Sequence, residues 1–105
     1  MNISDRRLAT AARTGRNEEV KQLLADGADV NAQNHAGRNA LHHAAAWDNK
    51  EAAELFLAKG ADVNAQMVGG QTPLDMAIMS NAFLIADLIR KNGGKTGDEL
   101  EAEGK

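Results

Sequence analysis

The chain has 105 residues, a formal net charge of −3 and no cysteine. Its length suits one domain, and the lack of cysteine excludes disulfides, thiolate chemistry and cysteine-based zinc sites. A net negative charge argues against binding to nucleic acid, which needs a basic surface. The first residues are too polar for a signal peptide, and no apolar run reaches the roughly 20 residues of a membrane helix. We therefore expect a cytoplasmic protein that contacts neither nucleic acid nor membrane.

The strongest feature of the sequence is an internal repeat. Residues 27–33 recur unchanged as residues 60–66, an offset of 33 residues. The same offset relates sets of leucines, alanines and glycines: Leu8, Leu41 and Leu74; Ala11, Ala44 and Ala77; Gly27, Gly60 and Gly93. So many matches in one register indicate a repeat protein, in which each unit buries its apolar face only by stacking on a neighbour.

Each unit is predicted to contain two short helices, because apolar residues recur at the i, i+3, i+4 spacing on either side of a break. Residues that accept from free amides of a first helical turn mark the starts of the first helices: Ser4 or Asp5, Asn39, and Thr72 with Pro73 after it. The breaks fall at equivalent residues that tolerate positive φ: Gly15, Asp48 and Asn81. The second helices are expected to end at Gly27, Gly60 and Gly93.

The two outer units differ from the middle one in ways that suit the ends of a stack. Glu19 and Gln22 stand where the next unit has Ala52 and Leu55, and Arg90 stands where earlier units have leucine. We expect one domain over residues 1–94, with units 1–33, 34–66 and 67–94, forming a complete small protein. Residues 95–105 form an acidic tail that is either disordered or an extra frayed helix packed through Leu100.

These motifs resemble those of the ankyrin-repeat family. The likeness lies in residues 72–77, 41–45 and 23–32, which read Thr-Pro-Leu-Asp-Met-Ala, Leu-His-His-Ala-Ala and Leu-Leu-Ala-Asp-Gly-Ala-Asp-Val-Asn-Ala. It covers about residues 5–94, with local departures at Asn34, Asn39, Ala40, Met67 and Asp75. The resemblance implies an all-α solenoid of stacked helix–turn–helix units joined by hairpin-like turns. It also implies protein binding through the turn tips and the exposed side of each first helix.

Carried onto this chain, the resemblance implies a set of partner-binding residues: Arg13, Gln33, His35, Arg38, Ala46, Trp47, Gln66, Val68, Gln71, Met79 and Ser80. Trp47 stands out because it lies beyond the predicted apolar face of its helix. Beside Arg13, Arg38 and Met79 it would form a binding hot spot. The alternative is that its ring covers the adjoining repeat as structural packing.

The sequence offers no catalytic, metal or cofactor site. His42 and His43 are adjacent, so on a helix they point about 100° apart and do not share one ion. The resemblance implies that His42 makes structural hydrogen bonds between turns, and His35 at a tip is read as a contact residue. Asp29 and Asp62 recur with the repeat and are expected to brace turns, whereas catalytic residues need not recur in every unit.

The predicted function is therefore that of a non-catalytic protein-binding module of the adaptor, inhibitor or effector type. The alternatives are a self-associating structural repeat protein and an engineered repeat scaffold. We expect a monomer, with a homodimer as the alternative, and another protein as the partner.

Overall fold

The computed structural model describes residues 2–104, which contain seven helices. They are α1 Ile3–Thr14, α2 Asn17–Ala25, α3 Ala40–Ala46, α4 Lys50–Ala58, α5 Pro73–Met79, α6 Phe83–Lys91 and α7 Gly97–Glu103. The first six form three antiparallel pairs, and successive pairs stack so that first helices contact first helices and second helices contact second helices. The predicted all-α stack is confirmed. No helix within residues 2–104 is long and apolar enough to span a membrane.

Alanine lets the first helices approach one another closely. Ala12 and Ala45 hold equivalent positions in α1 and α3, and both are fully buried. Their carbonyl oxygens accept from side chains of the next unit: Asn49 Nδ2 donates to Ala12 at 3.0 Å, and Ser80 Oγ donates to Ala45 at 2.8 Å. Larger residues at these positions would push the helices apart.

Two of the predicted helix starts are confirmed, and each is a capping box. Asn39 Oδ1 accepts from the His42 amide at 3.0 Å, while His42 Nδ1 accepts from the Asn39 amide at 3.1 Å. Thr72 and Asp75 exchange the equivalent bonds at the start of α5, with Pro73 in the first turn. Reciprocal bonding of this kind satisfies two amides that the helix cannot.

The predicted start of α1 at Ser4 or Asp5 is wrong, because Asn2 caps this helix. Asn2 Oδ1 accepts from the Asp5 amide at 2.9 Å, so α1 begins a turn earlier than its counterparts. Asp5 is buried, and its carboxylate accepts from the Asp29 amide at 2.9 Å. The carboxylate thus ties the helix to the following turn.

The breaks between paired helices have the predicted left-handed backbone. Gly15, Asp48 and Asn81 have φ of 75°, 55° and 59°. The identity of the residue changes while the backbone conformation stays, as expected for a position open to glycine, aspartate and asparagine. The glycines after the second helices also have the predicted positive φ: Gly27, Gly60 and Gly93.

One asparagine in each of the first two units ties that unit to the next. Asn31 Oδ1 accepts from the Asp62 amide at 2.7 Å, and its Nδ2 donates to the Gly60 carbonyl at 3.2 Å. Asn64 repeats both bonds with the Lys95 amide at 2.8 Å and the Gly93 carbonyl at 3.2 Å. We refer to each pair of bonds as an asparagine bridge.

The aspartates that precede the bridging asparagines brace the turns, as predicted. The Asp29 carboxylate accepts from the Asn31 amide at 2.8 Å, and the Asp62 carboxylate accepts from the Asn64 amide at 3.0 Å. Each bond fixes the backbone of the asparagine. The repeated segment, residues 27–33 and 60–66, therefore contains both the aspartate that braces the turn and the asparagine of the bridge.

Residues 97–103 of the acidic tail, for which the sequence allows either disorder or a helix, form α7, and the last residue of the tail lies outside the described residues. Thr96 and Glu99 make a capping box at its start. The Gly97 amide donates to Asp75 Oδ2 at 2.8 Å, and Arg90 pairs with Glu99 at 2.7 Å. These two contacts attach α7 to the third unit.

We expect Asn64→Ala to destabilise the protein by about 1–2 kcal/mol, because it removes both bonds of one bridge. Urea unfolding followed by circular dichroism measures the change. Asn92→Ala is the matched control, since the Asn92 amide group donates only to Leu88 of its own helix. Equal losses in the two variants would show that the bridge adds nothing to the stack.

Gly97→Ala should detach the start of α7. A Cβ at residue 97 would lie 2.3 Å from the Gly70 carbonyl oxygen, too close for any side chain. We expect a loss of about 1–3 kcal/mol and faster hydrogen exchange of the α7 amides. Gly104→Ala is the control, because its Cβ would meet its nearest neighbour at 3.5 Å. Unchanged α7 protection in Gly97→Ala would contradict this account.

Candidate protein-binding surface

The exposed sides of α1, α3 and α5, together with the turn tips at residues 33–38 and 66–71, form one continuous face that we call the first-helix surface. Hydrogen bonds within each tip fix its shape. Asn34 Oδ1 accepts from the Ala36 and Arg38 amides at 2.9 and 3.0 Å, as the aspartate of the family motif would. The Val68 amide donates to the Ala36 carbonyl at 2.7 Å, which holds the two tips side by side.

Six of the predicted contact residues lie in the tips, and four of these are exposed. Gln33 and Gln66 are exposed, and each side-chain amide donates to a carbonyl across its own tip, that of Gly37 at 2.8 Å and of Gly70 at 3.2 Å. His35 and Val68 are exposed, and the Val68 side chain is 74% accessible. The glutamines therefore shape the tips, while His35 and Val68 are available for contact.

Trp47 follows the last turn of α3 and points mainly into solvent. It is 58% exposed, and the guanidinium carbon of Arg13 lies 6.0 Å from the centre of its ring. That distance suits a cation–π contact between neighbouring units. The exposed ring therefore has a positive charge beside its face.

Met79 ends α5 and is 71% exposed, next to the repeat where Trp47 lies. The Ser80 hydroxyl donates to Ala45 of α3, which holds the ends of the two helices together. The Ser80 hydroxyl therefore stabilises the packing of the two helices. Ala46 is only partly exposed. Trp47 and Met79 are therefore exposed large apolar side chains at the ends of α3 and α5 on this surface.

Arg38 and Gln71 hold equivalent positions before the first helices, and both are partly buried. Arg38 Nε and Gln71 Oε1 are buried without a hydrogen-bond partner. Arg38 lines a small recess with His43 and Asp5. Both side chains therefore lie behind the most exposed part of the surface.

A cleft beside α7 was not predicted. It encloses about 460 Å³ between the second tip, α5 and α7, and its lining includes Gln66, Gln71, Asp75, Met79, Asp98 and Glu101. Its existence depends on the tail being a helix that returns to the third unit. The spacing of Thr96 and Glu99, a capping-box signature, is the signal in the sequence that could have located it.

Sequence reasoning also missed exposed apolar residues on the third unit. Phe83, Leu84 and Ile78 are largely exposed, although their equivalents in the middle unit are Lys50, Glu51 and the buried Ala45. Comparison of equivalent positions would have found Phe83 and Leu84, because Lys50 and Glu51 mark solvent-facing sites, but not Ile78, whose equivalent Ala45 is buried.

The two buried histidines serve the fold. His42 Nδ1 accepts from the Asn39 amide, so its Nε2 carries the proton and donates to the Gln71 carbonyl at 3.0 Å. This is the predicted bond between turns. Burial lowers the pKa of His42, and it lowers the pKa of His43 to about 4, with help from the charges of Arg38 and Arg13. No group of three or more potential ligands within residues 2–104 is placed to hold a metal ion.

Burial of neutral His43 predicts a stability that falls as the solution is acidified. The His43 side chain gains a proton near pH 6.5 in the unfolded chain but only near pH 4 in the folded chain. The contribution of His43 to the free energy of unfolding should therefore be fully present above pH 6.5. It should fall toward pH 4 by about 1.4 kcal/mol per pH unit. His43→Met, which copies the equivalent Met76, should reduce the dependence of the free energy of unfolding in urea on pH, while His42, whose pKa is also lowered, would still contribute. An undiminished slope would exclude His43 as its source.

Comparison with known proteins agrees with this architecture. A family model described as ankyrin repeats, in three copies, matches residues 8–98. The human protein named SH3 and multiple ankyrin repeat domains protein 2 is 33% identical over 82 residues, 78% of this chain and 4% of that protein. The likeness therefore concerns the repeats and a small part of the relative. The predicted family is confirmed, and the chain belongs to the ankyrin-repeat family.

Proposed function

We propose that this protein binds another protein through the first-helix surface and has no catalytic role. Ankyrin repeats are in general protein–protein interaction modules. The observation that carries the proposal is the exposed Trp47 ring with the Arg13 guanidinium at its face. Tryptophan and arginine are the residue types most enriched among those that dominate binding energy.

The chemistry of the surface suits an adaptor or inhibitor. Trp47 and Met79 offer apolar area that a partner can bury, while the tip residues His35 and Val68 offer contacts at the rim. Burial of a large apolar side chain is worth about 1.5–3 kcal/mol. Since the tips are held by internal hydrogen bonds, a partner need not order them on binding.

A second candidate is self-association, and one observation favours it. Ile78 is 46% exposed on the side of α5 that faces away from α3, whereas its equivalents Ala12 and Ala45 are fully buried by a following unit. A second copy that covered this side would bury Ile78. Sedimentation of the parent over a range of concentrations separates a stable dimer from a monomer.

We expect Trp47→Ala to weaken partner binding at least tenfold while the unfolding transition keeps its midpoint, because the ring is mostly exposed. Proteins captured from native lysate by the immobilised parent are identified, and their affinity for parent and variant is then measured. Phe83→Ala is the matched control, since Phe83 is also an exposed aromatic residue but lies on α6.

Loss of binding in Trp47→Ala alone would support the first-helix surface as the site. Equal binding by both variants and the parent would move the site elsewhere. A lowered unfolding midpoint in Trp47→Ala would assign the ring to packing between units instead.

A further inference from the structure

Charges on the first-helix surface are ordered along the stack. Arg6 and Arg13 lie on α1, and Arg38 precedes α3. The apolar residues Trp47 and Met79 follow. Beyond them come the carboxylates of the α7 cleft: Asp75, Asp98 and Glu101. Along the stack, the surface therefore changes from basic through apolar to acidic across the three units.

The basic side keeps its charges available. Arg6 and Arg13 are exposed, and within residues 2–104 neither lies within ion-pair distance of a carboxylate. Arg6 borders a recess with Gln33 and His35 of the first tip, and Arg13 lies against Trp47. The basic side is therefore continuous with both the tip and the apolar centre.

The acidic side is a recess and not only a group of exposed charges. Asp75 is partly buried, and its carboxylate accepts from the Thr72 amide and from the Gly97 amide. Asp98 and Glu101 project from α7 on the opposite wall, and Met79 lines the same cleft. The apolar centre thus leads directly into a volume of about 460 Å³ with carboxylates on two walls.

We propose that the partner recognised by the proposed binding function is a protein segment with a matching order of charges. An acidic residue lies over α1, a large apolar residue packs on Trp47 and Met79, and a lysine or arginine enters the α7 cleft. This inference rests on the proposed function and adds the chemistry of the partner. Complementary charge selects a segment with opposite charges on the two sides of its apolar residue and rejects one with like charges on both sides.

The geometry also sets the length of the segment. Packed helices lie about 8–10 Å apart, so α1 and the cleft beyond α5 are separated by roughly 20–25 Å. An extended chain advances about 3.3 Å per residue, so its acidic and basic residues should be roughly 6–8 positions apart. The large apolar residue should fall between them.

A displayed library of random peptides of about 12 residues tests the proposal, since each member is long enough to span the surface. Peptides selected on the parent are sequenced, and an enriched one is synthesised for titration. We expect acidic and basic residues on opposite sides of a large apolar residue at the stated spacing. Asp98→Lys combined with Glu101→Lys should weaken that peptide roughly tenfold, and more at low salt than at high salt.

The control is Glu51→Lys combined with Glu54→Lys, which changes the net charge equally but on the second-helix side. Binding should be kept there. Because lysines near the start of α7 could unfold it, Asp98→Asn with Glu101→Gln provides a milder variant, with circular dichroism as the check on folding. A loss of affinity in both cleft variants, with helicity intact, supports the proposal.

Each other outcome overturns it in a recognisable way. Peptides that need Trp47 but show no charge order, or that bind the cleft variants normally, reject the charge order and leave the binding function standing. Peptides indifferent to Trp47→Ala reject both. No enrichment on the folded parent rejects the segment, and capture of a whole protein that needs Trp47 would then leave the binding function standing. If the unmodified protein had twice the mass of one chain and did not bind peptides, a second copy would be the occupant of the first-helix surface.

Discussion

The asparagine bridge is the constraint on which the rest of the stack depends. The chain between units runs through turns whose amides and carbonyls have no helical partner, and each must be satisfied from elsewhere. Asn31 and Asn64 each supply one acceptor and one donor to the following turn. Helix caps add to this link, since Asn39 and Thr72 also donate to the carbonyls of Asp62 and Lys95. Together these bonds fix how each turn is placed against the next and therefore how successive units are aligned in the stack.

In the third unit, Asp75 stands where the middle unit has His42, and the difference follows from the element packed beside it. In the middle unit, His42 donates from Nε2 to the carbonyl of Gln71. In the third unit the next element is the start of α7, which offers the amide of Gly97. A donor is therefore replaced by an acceptor, Asp75, whose carboxylate is also favourable at a helix N-terminus. The departure of Asp75 from the family motif thus has a physical cause, and the same contact creates the cleft.

The period of the repeat predicted the helix pairs, the left-handed breaks and the caps at Asn39 and Thr72, because these depend on neighbours within one unit or on a copy of it. The predicted start of α1 was wrong because the residues equivalent to Asn2 are His35 and Val68, which lie in turn tips, so the repeat did not indicate a helix cap there. The cleft was missed for a similar reason: α7 occupies the place of a further turn, and its position depends on Gly97 and Asp75 meeting across the fold. Exposure of Trp47 was left open, since periodicity places a residue on a face but does not say what covers it.

Comparison of equivalent positions separates what the fold requires of Trp47 from what it does not. The equivalent residues are Thr14 and Ser80, both small, polar and exposed, so the stack forms at this position without an aromatic ring. The interior has no need of one either, because alanine sets the spacing of the first helices and Phe56 is the single buried aromatic residue among residues 2–104. A tryptophan at such a position adds little to packing and presents apolar area to solvent, which is a cost unless a partner covers it. The exposure of this ring on the helix side that carries Arg13 and Met79 therefore supports the proposal that it recognises another protein.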